Sequence, residues 1–175
     1  MLGLFENFPE AIHGRARFSS RNSVRDLQLA ILSGVHQLNH EVHALDTIVP
    51  HLSHQCEVCF ELGAAEDMVF NYLDQRELER FRTHIMKTEL RTLDILCAIQ
   101  YHTVNMKGKR VPLKFDYHLI RFTFRGNGGE MLIHHERGTQ RVPLEKLILF
   151  VANSINEELA RRSLQPLNIE KMQAL

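Results

Sequence analysis

The chain has 175 residues, and its 21 basic and 21 acidic side chains leave a formal charge of zero. Hydrophobic and charged fractions of 44% and 24% are those of an ordinary globular domain, which argues against a mainly disordered chain. Balanced charge weighs against a general nucleic-acid binder, and no apolar run reaches the roughly 18 residues of a membrane span.

Met1-Leu-Gly-Leu-Phe-Glu-Asn-Phe-Pro9 lacks the basic region and cleavage site of a secretory signal. Three cysteines, an odd count, fit a reducing cytoplasm better than a disulfide framework. The expectation is a cytoplasmic protein with one domain over 1–165 and a short, loosely held tail over 166–175.

Leu2, Leu4, Phe5 and Phe8 make the first residues an amphipathic lead-in before Pro9. Ile12–Ser19 alternates, with Ile12, Gly14, Ala16 and Phe18 facing one way and His13, Arg15 and Arg17 the other, as in a half-buried strand. Ser23-Val-Arg-Asp26 is a helix start related to the capping box. Val24, Leu27, Ile31, Val35, Leu38, Val42 and Leu45 then recur at threes and fours, predicting a helix that runs to about Leu45.

Cys56–Leu62 alternates as a strand, and Met68–Leu73 is either its hairpin partner across Gly63-Ala-Ala or the start of a helix. Gln75–Leu90 is a charged helix with Leu78, Phe81 and Ile85 as its stripe and Met86 at the margin. Leu93–Thr103 alternates and reads as a strand.

Phe115–Arg125 and Glu130–Arg137 flank Gly126-Asn-Gly-Gly129, a hairpin signature. Taking Asn127-Gly128 as the loop opposes Arg125 to Glu130, Phe124 to Met131, Phe122 to Ile133 and Ile120 to His135. One face then collects Ile120, Phe122, Phe124, Met131 and Ile133. Pro143 suits a first helical position, and Leu144, Leu147, Ile148, Val151, Ile155 and Leu159 supply a helical stripe to cover that face.

These elements predict an α+β fold: a twisted antiparallel sheet with amphipathic helices packed mainly on one face. Ile12–Thr103 could form a ferredoxin-like βαββαβ unit.

Three polar groups bear on chemistry. His36, His40 and His43, spaced i, i+4, i+7, share a face of this helix, and imidazoles so spaced can chelate zinc, although a solvated polar face is the simpler reading. His51-x-x-His54-x-Cys56-x-x-Cys59 carries zinc-ligand types, but the strand pattern sends Cys56 and Cys59 to opposite faces. Asp116, His118 and His135 gather at the end of an otherwise apolar sheet face. Two imidazoles and a carboxylate there suit a divalent metal such as zinc or iron, or a general acid–base pair; the bland alternative is a polar rim.

Charge is unevenly distributed along the chain. Nine acidic residues and one basic lie between Glu41 and Glu79, and ten basic and three acidic between Arg80 and Arg125. With the narrow seam of the first helix and the apolar lead-in, this asymmetry suggests a homodimer. Arg15, Arg17, Arg21 and Arg25, with Lys107, Lys109, Arg110 and Lys114, are the basic elements. Exposed aromatics to interleave with them are lacking, since tryptophan is absent. The first expectation is therefore a ligand-binding or self-associating interaction domain, holding a small molecule or a second copy. A metal-dependent, hydrolase-like enzyme using Asp116, His118 and His135 is the alternative, and a nucleic-acid module ranks third.

Overall fold

The computed structural model describes residues 1–50 and 56–175. In chain order its elements are β1 (Gly14–Ser19), α1 (Val24–Leu38), β2 (Val42–Ala44), α2 (Leu45–Ile48), β3 (Cys56–Glu66) and β4 (Val69–Tyr72). There follow α3 (Gln75–Lys87), β5 (Thr92–Val104), β6 (Arg110–Pro112), β7 (Asp116–Arg125), β8 (Gly128–Arg137), α4 (Leu144–Arg161) and β9 (Asn168–Ala174). All the strand pairings are antiparallel, in the order β2-β3-β5-β7-β8-β1-β9, with β4 on β3 and β6 on β5. The fold is α+β, and α1, α3 and α4 pack on one face of the sheet. No helix among the described residues is long and apolar enough to cross a membrane.

Period-two alternation builds that core. Ala16 and Phe18 on β1, Ile95 and Ile99 on β5, Ile120 and Phe122 on β7, and Met131 and Ile133 on β8 are all buried. All six stripe residues named for α4 are buried too. Ser23 caps α1, its hydroxyl accepting from the Asp26 amide at 3.1 Å, and Asp74 caps α3 by accepting from Glu77 at 2.8 Å. Gly34 lets α1 and α4 cross closely, since an added Cβ would lie 3.1 Å from the Ser154 carbonyl.

The sequence expectations need five corrections. First, α1 stops at Leu38 rather than Leu45. The Asn39 side chain leaves the helix to donate to the Leu73 carbonyl (2.9 Å) and accept from the Leu62 amide (2.7 Å), which ties the helix end to β3. Second, Met68–Leu73 is resolved as the hairpin strand β4, but its turn is at Asp67-Met68, so Gly63-Ala-Ala stays inside β3. Third, the β7–β8 loop is Gly126-Asn127: Arg125 opposes Gly128, Phe122 opposes Met131 and His118 opposes His135. Gly126 has φ +55° and Asn127 does not have positive φ, a pattern that fits glycine at the first central position of a hairpin turn.

Fourth, there is no ferredoxin-like unit, because β1 lies between β8 and β9, far from β3 and β5. Fifth, the segment after Pro166 is a strand: β9 pairs with β1 along the edge of the sheet.

The lead-in crosses the face of the sheet that lacks helices. Gly3 joins β3 to β5, its amide donating to the Ala65 carbonyl and its carbonyl accepting from the Asp94 amide. Fully buried Asp94 then binds the Arg121 guanidinium through two 2.7 Å contacts and accepts from the Phe5 amide at 2.7 Å. The Phe8 ring lies 4.3 Å from the Arg121 guanidinium, and Phe5 packs on Phe70. The lead-in is thus a strap on its own sheet. The α1 seam is likewise covered by α3 and α4. Acidic and basic stretches meet inside the chain as Glu57–Arg110 (2.6 Å) and Glu66–Arg80 (3.0 Å). All three features that pointed to a homodimer have partners within one chain.

Candidate functional site

The strand register brings Asp116, His118 and His135 together as the sequence suggests, at the helix-facing end of β7 and β8. Asp116 and His118 have no exposed surface, while His135 is half-buried. Asp116 accepts from the Tyr101 hydroxyl at 2.7 Å and from the Gln140 and Arg141 amides at 2.8 and 2.9 Å. Its carboxylate therefore closes the loop that leads into α4. Tyr101 is itself fully buried, and burial together with the Asp116 carboxylate raises its phenol above the ordinary value.

The two imidazoles meet nitrogen to nitrogen, with His118 Nδ1 lying 3.2 Å from His135 Nδ1. His135 Nε2 faces the Gly138 carbonyl at 3.1 Å, and a carbonyl can only accept. His135 therefore carries its proton on Nε2 and accepts at Nδ1 from His118. His118 Nε2 is left as a bare lone pair in the core with no partner. Desolvation first, then the neighbouring His135, push the His118 imidazole down to about 4.

Two more histidines extend the cluster towards the strap. His13 Nδ1 accepts from the His135 amide at 2.9 Å, and its ring lies 4.8 Å from that of His134. Burial lowers the His13 imidazole, with His134 and His135 adding to the effect. His134 faces acceptors on both sides, the Ala11 carbonyl at 2.6 Å and Glu136 at 3.0 Å. Among the described residues no three His, Cys, Asp or Glu side chains are grouped to hold a metal ion.

Gly138 belongs to this design. It sits at φ +116°, and a Cβ there would run into the Asp116 carboxylate and the Phe115 carbonyl. Gly138→Ala is expected to lower stability by about 2 kcal/mol, through backbone strain and a displaced Asp116, as read from a urea midpoint. An unchanged midpoint would show that the 138–142 loop is not held by Asp116.

The other candidates separate. His36 and His40 remain adjacent on and just after α1, their Nε2 atoms 3.3 Å apart. His43 is on β2, edge-on to Phe60 and Phe150, so the three do not share a helical face. Cys56 is buried towards the helices and Cys59 is half-buried on the opposite face, as alternation requires. His51 and His54 lie outside the described residues. Burial pushes the Cys97 thiol up to about 12, with the Asp116 charge adding to it, and raises that of Cys56. Neither is a poised nucleophile.

A second arrangement lies on the opposite side of the sheet, beyond the strap. The register sets outward-facing residues in rows across four strands: Arg125, Gly128, Ser19 and Asn168 in one, then Thr123, Glu130, Arg17 and Lys171 in the next. All of these but Asn168 and Lys171 line an open groove of about 740 Å³ whose rim also carries Glu170. Lys171 and Arg15 border the smaller hollow beside it. Glu130 Oε2 lies 3.4 Å from Arg15 Nη1 but has no hydrogen-bond partner. Among the described residues Arg17, Arg125 and Lys171 have no carboxylate partner. The sequence exposes Arg15 and Arg17 by alternation, but reading 166–175 as a tail hides Lys171, and the shifted turn hides the Gly128 floor.

Comparison with protein-family models, with curated proteins and with solved structures finds no match.

Proposed function

We propose that this chain is a non-catalytic binding domain whose ligand is anionic and seats in the groove formed by β7, β8, β1 and β9. One contrast carries the reading. The groups with catalytic potential, Asp116, His118 and Tyr101, have no exposed surface on which a substrate could react. By contrast, Arg17 and Arg125 lack carboxylate partners and line an open groove, and Lys171, also without one, borders the hollow beside it. Unpaired cations around a concavity attract and orient anions.

The metal-dependent alternative has less support, because the Asp116 oxygens are taken up by Tyr101, Gln140 and Arg141 and the Nδ1 atoms of His118 and His135 by each other. A single titration of ¹⁵N-labelled protein at low salt tests both. Citrate should move the amide signals of Ser19, Arg125 and Gly128 while leaving Asp116 and His118 in place. Zinc should leave the ring signals of His118 and His135 unshifted. Zinc-induced shifts there, with none from citrate in the groove, would reverse the ranking.

A further inference from the structure

We infer that the β5–β6 hairpin docks the protein on an anionic lipid surface, with Met106 entering the headgroup layer and lysines meeting the lipid phosphates. This surface is separate from the groove. β5 pairs with β7 from Thr92–Thr123 to Ile99–Asp116, so the hairpin lies beyond the Asp116 end of the sheet and the groove at the Arg125 end.

Residues 95–115 contain no carboxylate but four cations, Lys107, Lys109, Arg110 and Lys114. β6 takes over the edge of β5 where β7 ends, pairing His102 with Pro112, Thr103 with Val111 and Val104 with Arg110. The last described pair of β3 is Cys56 with Thr103, so the turn at 105–109 projects beyond the described sheet. Residues 105–112 are all exposed. The turn is nevertheless well built. Asn105 Oδ1 accepts from the Lys107 and Lys109 amides, both at 2.9 Å, and the Asn105 backbone bonds to Gly108 and Lys109. Its side chains are therefore displayed from a closed hairpin.

Glu57 neutralises Arg110 at 2.6 Å. Lys107, Lys109 and Lys114 have no carboxylate partner among the described residues. The tip thus carries a positive surplus that the chain as a whole lacks. Fully exposed Met106 stands among these lysines at the apex.

A single exposed methionine is ordinary surface. At the apex of a cationic hairpin it is placed as an anchor, because its thioether can pass below the headgroup phosphates while the lysine stems reach back to them. A short apolar tip and a few cations together give reversible, salt-sensitive docking without any segment crossing the bilayer. A nucleic-acid duplex would engage the same lysines. Following its backbone requires a wider basic face, which a chain of zero net charge does not favour.

The chain has no tryptophan, so Met106→Trp places a single fluorophore at the apex. Its emission should shift to the blue on phosphatidylcholine vesicles containing about one-third phosphatidylserine, and revert as salt is raised. Phosphatidylcholine alone should leave it unchanged. Wild-type protein should co-sediment with the anionic vesicles, and Met106→Ser should bind about threefold more weakly. Each lysine near such a surface is worth about fivefold, so Lys107→Gln/Lys109→Gln should weaken binding by at least about tenfold. Lys87→Gln/Arg91→Gln removes the same charge from exposed positions at and after the end of α3, and should change binding by less than about twofold. Equal effects of the two double substitutions overturn the hairpin as the docking surface. Full binding by Met106→Ser overturns entry of the apex. No blue shift, or equal shifts on the two lipids, overturns the anionic bilayer as partner. Binding to duplex DNA with none to the vesicles overturns it too, and assigns the hairpin to nucleic acid.

Discussion

Asp116→Ala should cost the protein about 4 kcal/mol of stability. The buried carboxylate satisfies three donors, the Tyr101 hydroxyl and the Gln140 and Arg141 amides. Each donor left unpaired away from water costs about 1–3 kcal/mol, and relaxation recovers some of it. The loss should be local in its first effects. The 138–142 loop fixes the approach to α4, so exchange of the Gln140 and Arg141 amides should accelerate before the sheet opens. Urea denaturation combined with hydrogen exchange separates the two. A variant that loses less than about 1 kcal/mol, with those amides still protected, would mean that the carboxylate is not what closes the loop.

Acid should weaken the fold through His118, and the sign follows from its environment. Burial pushes the folded imidazole down to about 4, against the ordinary 6.5 of an unfolded one, so the native state resists the proton. This contribution to stability is fully present above pH 6.5 and disappears as pH falls from 6.5 to 4. The difference corresponds to about 3 kcal/mol. His13 and His36 are lowered as well, and they act in the same direction. Carboxylates titrate in the lower part of this window, so the informative quantity is a comparison. The stability gap between the wild type and His118→Gln, measured by urea at pH 7 and at pH 4.5, should shrink in acid. A gap independent of pH would mean that His118 titrates alike in the folded and unfolded states.

The faces of the β7–β8 hairpin were readable because a two-residue register shift preserves side-chain parity. Ile120, Phe122, Met131 and Ile133 stay on one side under either turn, so alternation reveals the core face without revealing the loop. The loop itself was ambiguous because glycines at 126, 128 and 129 allow more than one two-residue turn. Helix α1 was overextended for a different reason. Val42 and Leu45 continue its periodicity by chance, and the signal that stops it is a tertiary bond from Asn39 to strands not yet formed when the local pattern is read.

Strand order had no local signature at all, which is why β1 seemed a neighbour of β3 and β5. The meeting of Asp116, His118 and His135 followed from parity. What it serves did not, because two of the three groups that engage Asp116 come from a loop more than twenty residues away. The groove combines both cases. Its arginines on β1 were visible as outward-facing, whereas the place of Lys171 beside it and the Gly128 floor depend on β9 and on the true turn.

The position of β1 also has a consequence for how the chain comes off the ribosome. Its two sheet partners, β8 and β9, begin only at residues 128 and 168. At synthesis rates of about 5–20 residues per second, β1 waits roughly 5–20 s with both edges unmatched. An alternating strand left open for that long is a template for pairing with other nascent chains. Arg15 and Arg17 stand on the face that remains outward, and like charges on neighbouring chains oppose such pairing. The arginines proposed to hold a ligand in the finished protein would therefore act earlier as guards, keeping β1 single until its own hairpin arrives.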